Sequence, residues 1–260
     1  MRWTVQPPFV RLRLRRGALR YATHGWPVTP GAYLHQGRFR CDRPGCPTTG
    51  CHPALADWQR SATDCRVQVG TWWREHPHAV LLATGHAFDV LDVPARLGLR
   101  TLCTLRLRGG AAAPGRGRLH GPVAVTPTGR WMFLVRPSDA LRPELADSLD
   151  VVRHGIGSWI PAPPTLLAEG PVRWAVSPAQ VQWQLPDSYA VQQVVNEARE
   201  ATTSPRPRPR LPQPRTAPAD ATPADGAPAE PVPVAPLAGG GAFPTATGVP
   251  RQTSTLRRAL

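Results

Sequence analysis

The amino-acid sequence predicts an α+β domain of about two hundred residues, large enough to bury a sizeable core, followed by a disordered tail. Short apolar segments bounded by glycine and proline alternate with segments of helical period, which is typical of mixed helix and sheet. Thirteen of the 33 prolines lie beyond Thr202, in a tail rich in proline, alanine and arginine. We therefore divide the chain into a basic N-terminal segment (1–16), a folded domain (17–200) and a disordered tail (201–260).

The predicted elements of the domain follow from hydrophobic period and from breaker residues. Helices are expected at 10–24, 55–60, 65–76, from 94 onward, at 142–149 and at 188–201. Strands are expected at 26–31, 79–83, 88–93, 123–125, 131–135, 151–152, 158–160 and 172–176.

Two apolar strands joined by a Thr-Gly-His turn, 79–83 and 88–93, form the predicted central strand pair. The second strand carries Asp89 and Asp92. A carboxylate is costly to bury in a strand unless it meets a metal, a cation or a hydrogen-bond donor. Because the two residues are three positions apart, we expect them to point to opposite faces of the sheet.

The charge of the chain favours a polyanionic partner. All 31 cationic residues are arginine, and the formal net charge is +14. Such an excess attracts nucleic acid. No apolar run reaches the length of about 18 residues that spans a membrane, and no secretory signal is recognised, so we expect a cytoplasmic protein without a membrane partner.

Three cysteines within eleven residues, Cys41, Cys46 and Cys51, precede His52. Zinc takes four sulfur or nitrogen ligands, and three cysteines with one histidine are a common structural set. Cys65 is an alternative to His52 as the fourth ligand. The other interpretation is that these are free thiols in an irregular loop.

Five short motifs occur in order along the domain. They are Gly25-Trp26-Pro27-Val28, then Cys46-Pro-Thr-Thr-Gly-Cys-His-Pro53, then Trp72-Trp73 followed by Leu81-Leu82-Ala83-Thr84-Gly85, then Thr126-Pro127-Thr128-Gly129, and last Asp150-Val151-Val152-Arg153 with Gly155, Ser158 and Pro161-Ala162-Pro163-Pro164-Thr165. Over about residues 17–200 the chain thereby resembles the N-terminal primase/polymerase domain of bifunctional DNA primase/polymerases, within the archaeo-eukaryotic primase superfamily.

The resemblance implies an RRM-like antiparallel sheet flanked by helices and nucleotide addition with Mg²⁺ or Mn²⁺. In the family, an Asp-x-Asp or Asp-x-Glu pair at the end of the central strand supplies two carboxylates on one sheet face. Here the matching residues are Asp92-Val93-Pro94, and proline has no ligand atom. The phosphate-contacting histidine of the second motif falls near Trp131 or Met132, which we interpret as packing residues. Arg130 or Arg136 could still contact a phosphate.

The third motif supplies Asp150, either as the last metal ligand or as a structural residue paired with an arginine such as Arg153. Candidate catalytic residues are therefore Asp92, Asp150 and Asp89. The candidate nucleotide- or phosphate-binding residues are Arg130, Arg136 and Arg153.

These features predict a primase/polymerase-like protein that binds single-stranded DNA or nucleotide and whose nucleotidyl transfer is weak or lost. One alternative is an active DNA primase/polymerase. The other is a non-catalytic interaction protein that uses the tail to bind a partner. The resemblance also implies a helicase or another replication protein acting in trans.

Overall fold

The computed structural model describes residues 8–41, 43–109 and 119–203. Their fold is α+β, with antiparallel sheets flanked by helices, as the sequence predicts. The predicted 201–260 tail lies outside the described residues from 204 onward. The helices are α1 (Pro8–Thr23), α2 (Trp58–Ser61), α3 (Arg66–Glu75), α4 (Ala95–Gly109), α5 (Pro143–Ala146) and α6 (Ser188–Thr203), with a 3₁₀ turn at Pro178–Val181.

Twelve strands are found in the described ranges. They are β1 (Val28–Gly31), β2 (Tyr33–His35), β3 (Arg38–Arg40), β4 (Ala79–Ala83), β5 (Asp89–Pro94), β6 (Val123–Val125), β7 (Arg130–Val135), β8 (Val152–His154), β9 (Trp159–Pro161), β10 (Leu166–Leu167), β11 (Gly170–Pro171) and β12 (Arg173–Val176). The main sheet has the order β12-β6-β7-β5-β8, and a second sheet has the order β1-β4-β9. Two hairpins, β2-β3 and β10-β11, complete the set.

The main sheet packs on both faces. Val90, Met132 and Leu134 belong to one apolar cluster, together with residues of α1, α3 and the β1-β4-β9 sheet. On the opposite face, Leu91 and Phe133 pack with residues of α4, α5 and α6. Successive side chains along β5 and β7 therefore point alternately into two separate apolar cores.

The predicted central strand pair is wrong in its pairing. Strands β4 and β5 exist at the expected places, but β4 lies in the β1-β4-β9 sheet, whereas β5 pairs with β7 and β8. The connecting turn crosses between the sheets at Gly85, which has φ +101°. A Cβ atom at Gly85 would lie 2.2 Å from the backbone nitrogen of Ile156, so this crossing requires glycine.

The hairpin β2-β3 was not predicted from the sequence. Its two-residue loop, Gln36-Gly37, has positive φ at both positions (50° and 77°), as a type I′ turn requires. Asparagine or aspartate usually precedes the glycine in such loops, and glutamine gives a much weaker signal. No helix in the described ranges is both long and apolar enough to cross a lipid bilayer.

Candidate functional site

Asp92 lies near the end of β5, on the sheet face that carries Val90 and Met132. Its carboxylate has two neighbours. The Nε of Arg130 donates to Oδ1 at 2.9 Å, and the Nε2 of His154 lies 3.3 Å from Oδ2. The Asp92 side chain is 15% exposed, so both oxygens are engaged in a largely buried position.

The turn Thr126-Pro127-Thr128-Gly129 positions Arg130 at the start of β7. The Thr126 hydroxyl accepts from the backbone N–H of Arg130 at 3.0 Å, and Gly129 closes the turn with φ +83°. In the β5-β7 register Arg130 lies directly opposite Pro94, and opposed residues share a sheet face. Arg130 therefore projects over the face on which a second carboxylate would stand.

The Arg130 guanidinium makes two further bonds to backbone carbonyls. Its Nη2 donates to the Asp92 carbonyl at 3.1 Å and to the Asp150 carbonyl at 3.0 Å. Together with Oδ1 of Asp92, three oxygens from β5 and from the segment before β8 converge on one cation. Arg130 thus links the two segments in which the sequence predicted catalytic residues, β5 and the segment that contains Asp150.

His154 is a site residue that the sequence analysis missed. It belongs to β8, opposite Val90 in the register, and therefore shares the face of Asp92. In its neutral form, Nε2–H donates to the Asp92 carboxylate and the Ser158 hydroxyl donates to Nδ1 at 2.8 Å. The period-two step from Val152 to His154 was visible in the sequence, but the β5-β8 register was not.

Asp89 is buried on the opposite face of the sheet, with 1% exposure. Arg153 donates from Nη1 to Oδ2 at 2.6 Å, and the backbone N–H of Ser138 donates to the same oxygen at 3.0 Å. Arg153 also donates to the Ser138 and Asp139 carbonyls. Asp89 and Arg153 therefore form an ion pair with each other, on the sheet face opposite to Asp92.

Two other predicted site residues, Asp150 and Arg136, make no hydrogen bond to the Asp92 carboxylate within the described ranges. Asp150 is exposed and contributes its backbone carbonyl to Arg130. Arg136 follows β7 and pairs with Asp187 at 3.2 Å, with both side chains about half exposed. The structure thus gathers Asp92, Arg130 and the Asp150 backbone, and it leaves Arg136 on the surface.

The place expected for the second motif carries packing residues. Met132 is 2% exposed and belongs to the core beneath Asp92. Trp131 lies on the other face against Gly98 of α4, where a Cβ on that glycine would lie 2.5 Å from the Cβ of Trp131. The imidazole beside Asp92 comes instead from His154.

A second cluster joins Cys41, Cys46 and His52, whose ligand atoms all lie within 4.8 Å of one another. The Sγ of Cys46 lies 3.4 Å from Nε2 of His52. The Nδ1–H of His52 donates to the Gly50 carbonyl at 2.8 Å, which leaves the Nε2 lone pair facing the thiols. The backbone N–H of Thr48 is the main cause that lowers the pKa of Cys46.

The predicted ligand Cys51 is not a member of this cluster. Of the four predicted ligands 41, 46, 51 and 52, the structure brings three together, and of the two adjacent residues it is His52 that directs its ligand atom to the thiols. His52 does so, since its backbone carbonyl accepts from Ala32 and its ring is fixed by Gly50. Burial raises the pKa of the Cys51 thiol to about 12.

Comparison with known families agrees with this architecture. The family described as bifunctional DNA primase/polymerase, N-terminal, matches residues 18–188. The match begins within α1, ends at the first residue of α6, and includes Asp92, Arg130, His154 and the cysteine cluster. No significant match is found among curated proteins. The chain belongs to the family of N-terminal domains of bifunctional DNA primase/polymerases.

The residues around Asp92 do not fit the pair of divalent cations that the family's chemistry uses. Two-metal sites hold their ions about 4 Å apart with several oxygen ligands. Here Pro94 supplies no side-chain oxygen, and Asp89 is on the other face. Arg130 and His154 occupy both oxygens of Asp92. The Asp92 carboxylate, which is already paired with a guanidinium, is therefore a poor ligand for two divalent ions.

The Cys41, Cys46 and His52 cluster supplies three ligand atoms of the kinds that zinc binds, one fewer than the four of a structural site. Thiolate sulfur and neutral imidazole nitrogen are the ligands that zinc prefers. The hydrogen bond from His52 Nδ1–H to Gly50 fixes the tautomer whose Nε2 can bind a metal. These residues are a candidate metal centre in an irregular segment that packs beside β1.

Proposed function

We propose that this chain is a primase/polymerase-fold protein that binds single-stranded nucleic acid or nucleotide through phosphate groups, and that its nucleotidyl transfer is weak or lost. The observation that carries this proposal is the double occupation of the Asp92 carboxylate by Arg130 and His154. Nucleotidyl transfer depends on cations that activate the attacking hydroxyl and neutralise the triphosphate. A single compensated carboxylate is a poor ligand for them.

Surface charge supports the binding part of the proposal. Helix α1 exposes arginines on its solvent side, and they lie within a chain whose net charge is +14. The exposed arginines of α1 are Arg11, Arg13, Arg16 and Arg20. Guanidinium groups bind phosphates with strong, often bidentate hydrogen bonds.

Aromatic stacking has fewer candidates than the number of tryptophans suggests. Trp26 and Trp73 are 4% and 0% exposed and belong to the core, so neither can stack on a base in the folded domain. Trp72 and Trp159 are only partly buried and stay available for such contacts. We therefore expect phosphate contacts to supply most of the binding energy.

The first prediction concerns binding and synthesis by the full chain. Fluorescence anisotropy with a labelled oligothymidine should show binding that weakens steeply with salt, since each phosphate contact contributes a slope of about −0.7 in log K against log salt. In a primer-extension assay with Mn²⁺ or Mg²⁺, incorporation should be absent or should be unchanged in Asp92→Ala.

Two results would reject the proposal. Absence of binding at low salt would remove the binding function. Efficient extension that disappears in Asp92→Ala, but not in the surface variant Asp187→Ala, would favour the alternative of an active primase/polymerase.

We further propose that Cys41, Cys46 and His52 hold a structural zinc ion. The second prediction is that purified protein contains about one zinc per chain and that Cys46→Ser and His52→Ala each lose it. Cys103→Ser is the matched control, because Cys103 is exposed on α4 and lies outside the cluster. Elemental analysis checks this, and zinc-free wild type or full zinc retention in both variants would contradict it.

A further inference from the structure

Arg130 occupies a position in which it is surrounded by oxygens that could otherwise bind a metal ion. A cation-binding site in this fold would draw on oxygens from the end of β5 and from the segment before β8. The structure offers three such oxygens to one group, namely Asp92 Oδ1 and the carbonyls of Asp92 and Asp150, at 2.9, 3.1 and 3.0 Å. The group that they surround is the Arg130 guanidinium.

We propose that Arg130 replaces the divalent cation, so that this site binds a phosphate group of nucleic acid or nucleotide without any metal. The inference rests on the proposed function and names the ligand chemistry of its site. The replacement of a metal ion by a guanidinium can be seen at two sequence positions that lie opposite each other on β5 and β7. Proline at 94 removes the second carboxylate, and arginine at 130, directly across the strand pair, supplies a fixed positive charge.

The guanidinium keeps capacity for a ligand. Its Nε and Nη2 are used by Asp92 and Asp150, whereas Nη1 makes no hydrogen bond within the described ranges. The Arg130 side chain is 30% exposed, so a phosphate oxygen can reach it from solvent. A guanidinium held by three oxygens is preorganised and loses little rotamer freedom when a phosphate binds.

The same arrangement disfavours a divalent ion. Asp92 and Arg130 form an ion pair, so the Asp92 carboxylate brings no net negative charge to offset the desolvation of Mg²⁺ or Mn²⁺. His154 takes the remaining oxygen of Asp92. An ion would have to displace both groups and would then lie beside the positive charge of Arg130.

The third prediction tests this exchange with Mn²⁺ as the probe, using electron paramagnetic resonance of the free ion. Wild type should bind no more Mn²⁺ than Asp92→Asn does. Arg130→Met should gain binding at least tenfold tighter than wild type, and the double variant Pro94→Asp/Arg130→Met should bind more tightly still. Arg130→Lys, which keeps the charge, should behave as wild type.

Phosphate binding is the second arm of the test. The affinity of wild type for labelled oligothymidine at fixed ionic strength should be the same within twofold in EDTA and in Mg²⁺. Arg130→Met should weaken it three- to tenfold, and Arg130→Lys should weaken it less. Circular dichroism of each variant identifies any that fails to fold, in which case the wild-type and Asp92→Asn comparison decides the inference.

The outcomes separate the inference from the proposed function. Mn²⁺ binding by wild type that is lost in Asp92→Asn overturns the inference, as does DNA binding that requires a divalent ion. Absence of any DNA binding rejects the proposed function, while the Mn²⁺ comparison still judges whether Arg130 has replaced the cation.

Discussion

Asp89→Ala should lower the free energy of unfolding by about 3 kcal/mol, because it leaves the charge of Arg153 without its partner inside the protein. Asp89 is 1% exposed, and it accepts from Arg153 and from the Ser138 backbone. The Arg153 side chain is 23% exposed, so water solvates part of its unpaired charge. We therefore expect the lower end of the range of free-energy losses found when one partner of a buried ion pair is removed.

Denaturant titration followed by tryptophan fluorescence measures this effect. Asp150→Ala is the control, because its carboxylate is exposed, and it should change stability by less than about 0.5 kcal/mol. The double variant Asp89→Ala/Arg153→Met should recover part of the loss, since it removes the unpaired charge as well. Equal midpoints for Asp89→Ala and wild type would show that this ion pair does not support the fold.

Gly85→Ala should have an effect of similar size, about 3 kcal/mol or more, for a steric reason. Gly85 has φ +101°, and an added Cβ would meet the backbone of Ile156 at 2.2 Å. The chain would have to shift where β4 passes to β5 and where the turn after β8 approaches. That turn includes Ser158, which bonds His154, so the variant should also disturb the imidazole beside Asp92.

Gly25→Ala provides a matched control for Gly85→Ala. Gly25 also has positive φ, +74°, but nothing lies within 4 Å of its added Cβ. It should therefore cost only the conformational strain of about 1 kcal/mol. Thermal unfolding of both variants measures the difference, and equal losses would show that the contact with Ile156 is not close enough to matter.

Local sequence predicted most elements and not their assembly. The apolar segments at β4 and β5 identify both strands, because β-branched and aliphatic runs bounded by turn residues are a local property. Which sheet each strand joins depends on the crossing at Gly85 and on contacts with β1, β7, β8 and β9, which are distant in the sequence. A short glycine turn looks the same in a hairpin and in a crossover.

The candidate site shows the same division. The step of three residues from Asp89 to Asp92 predicted opposite faces, and the structure places them so. The sequence also predicted that the side chain at Pro94 offers no metal ligand. The partners of Asp92 were not, since His154 and Arg130 reach it only through the registers of β8 and β7 on β5. Likewise, the cysteine spacing predicted Cys51 as a ligand together with His52, whereas the structure groups His52 alone with Cys41 and Cys46.

Titration of the wild-type chain with Mn²⁺, with Asp92→Asn as reference, tests most directly whether Arg130 takes the place of a divalent cation at this site. If Arg130 supplies the positive charge, the two proteins will bind the ion equally weakly, and Arg130→Met alone will open a site that depends on Asp92. A wild-type chain that takes up Mn²⁺ through Asp92 would instead mean that the ion displaces the guanidinium, and that the family's metal chemistry is retained.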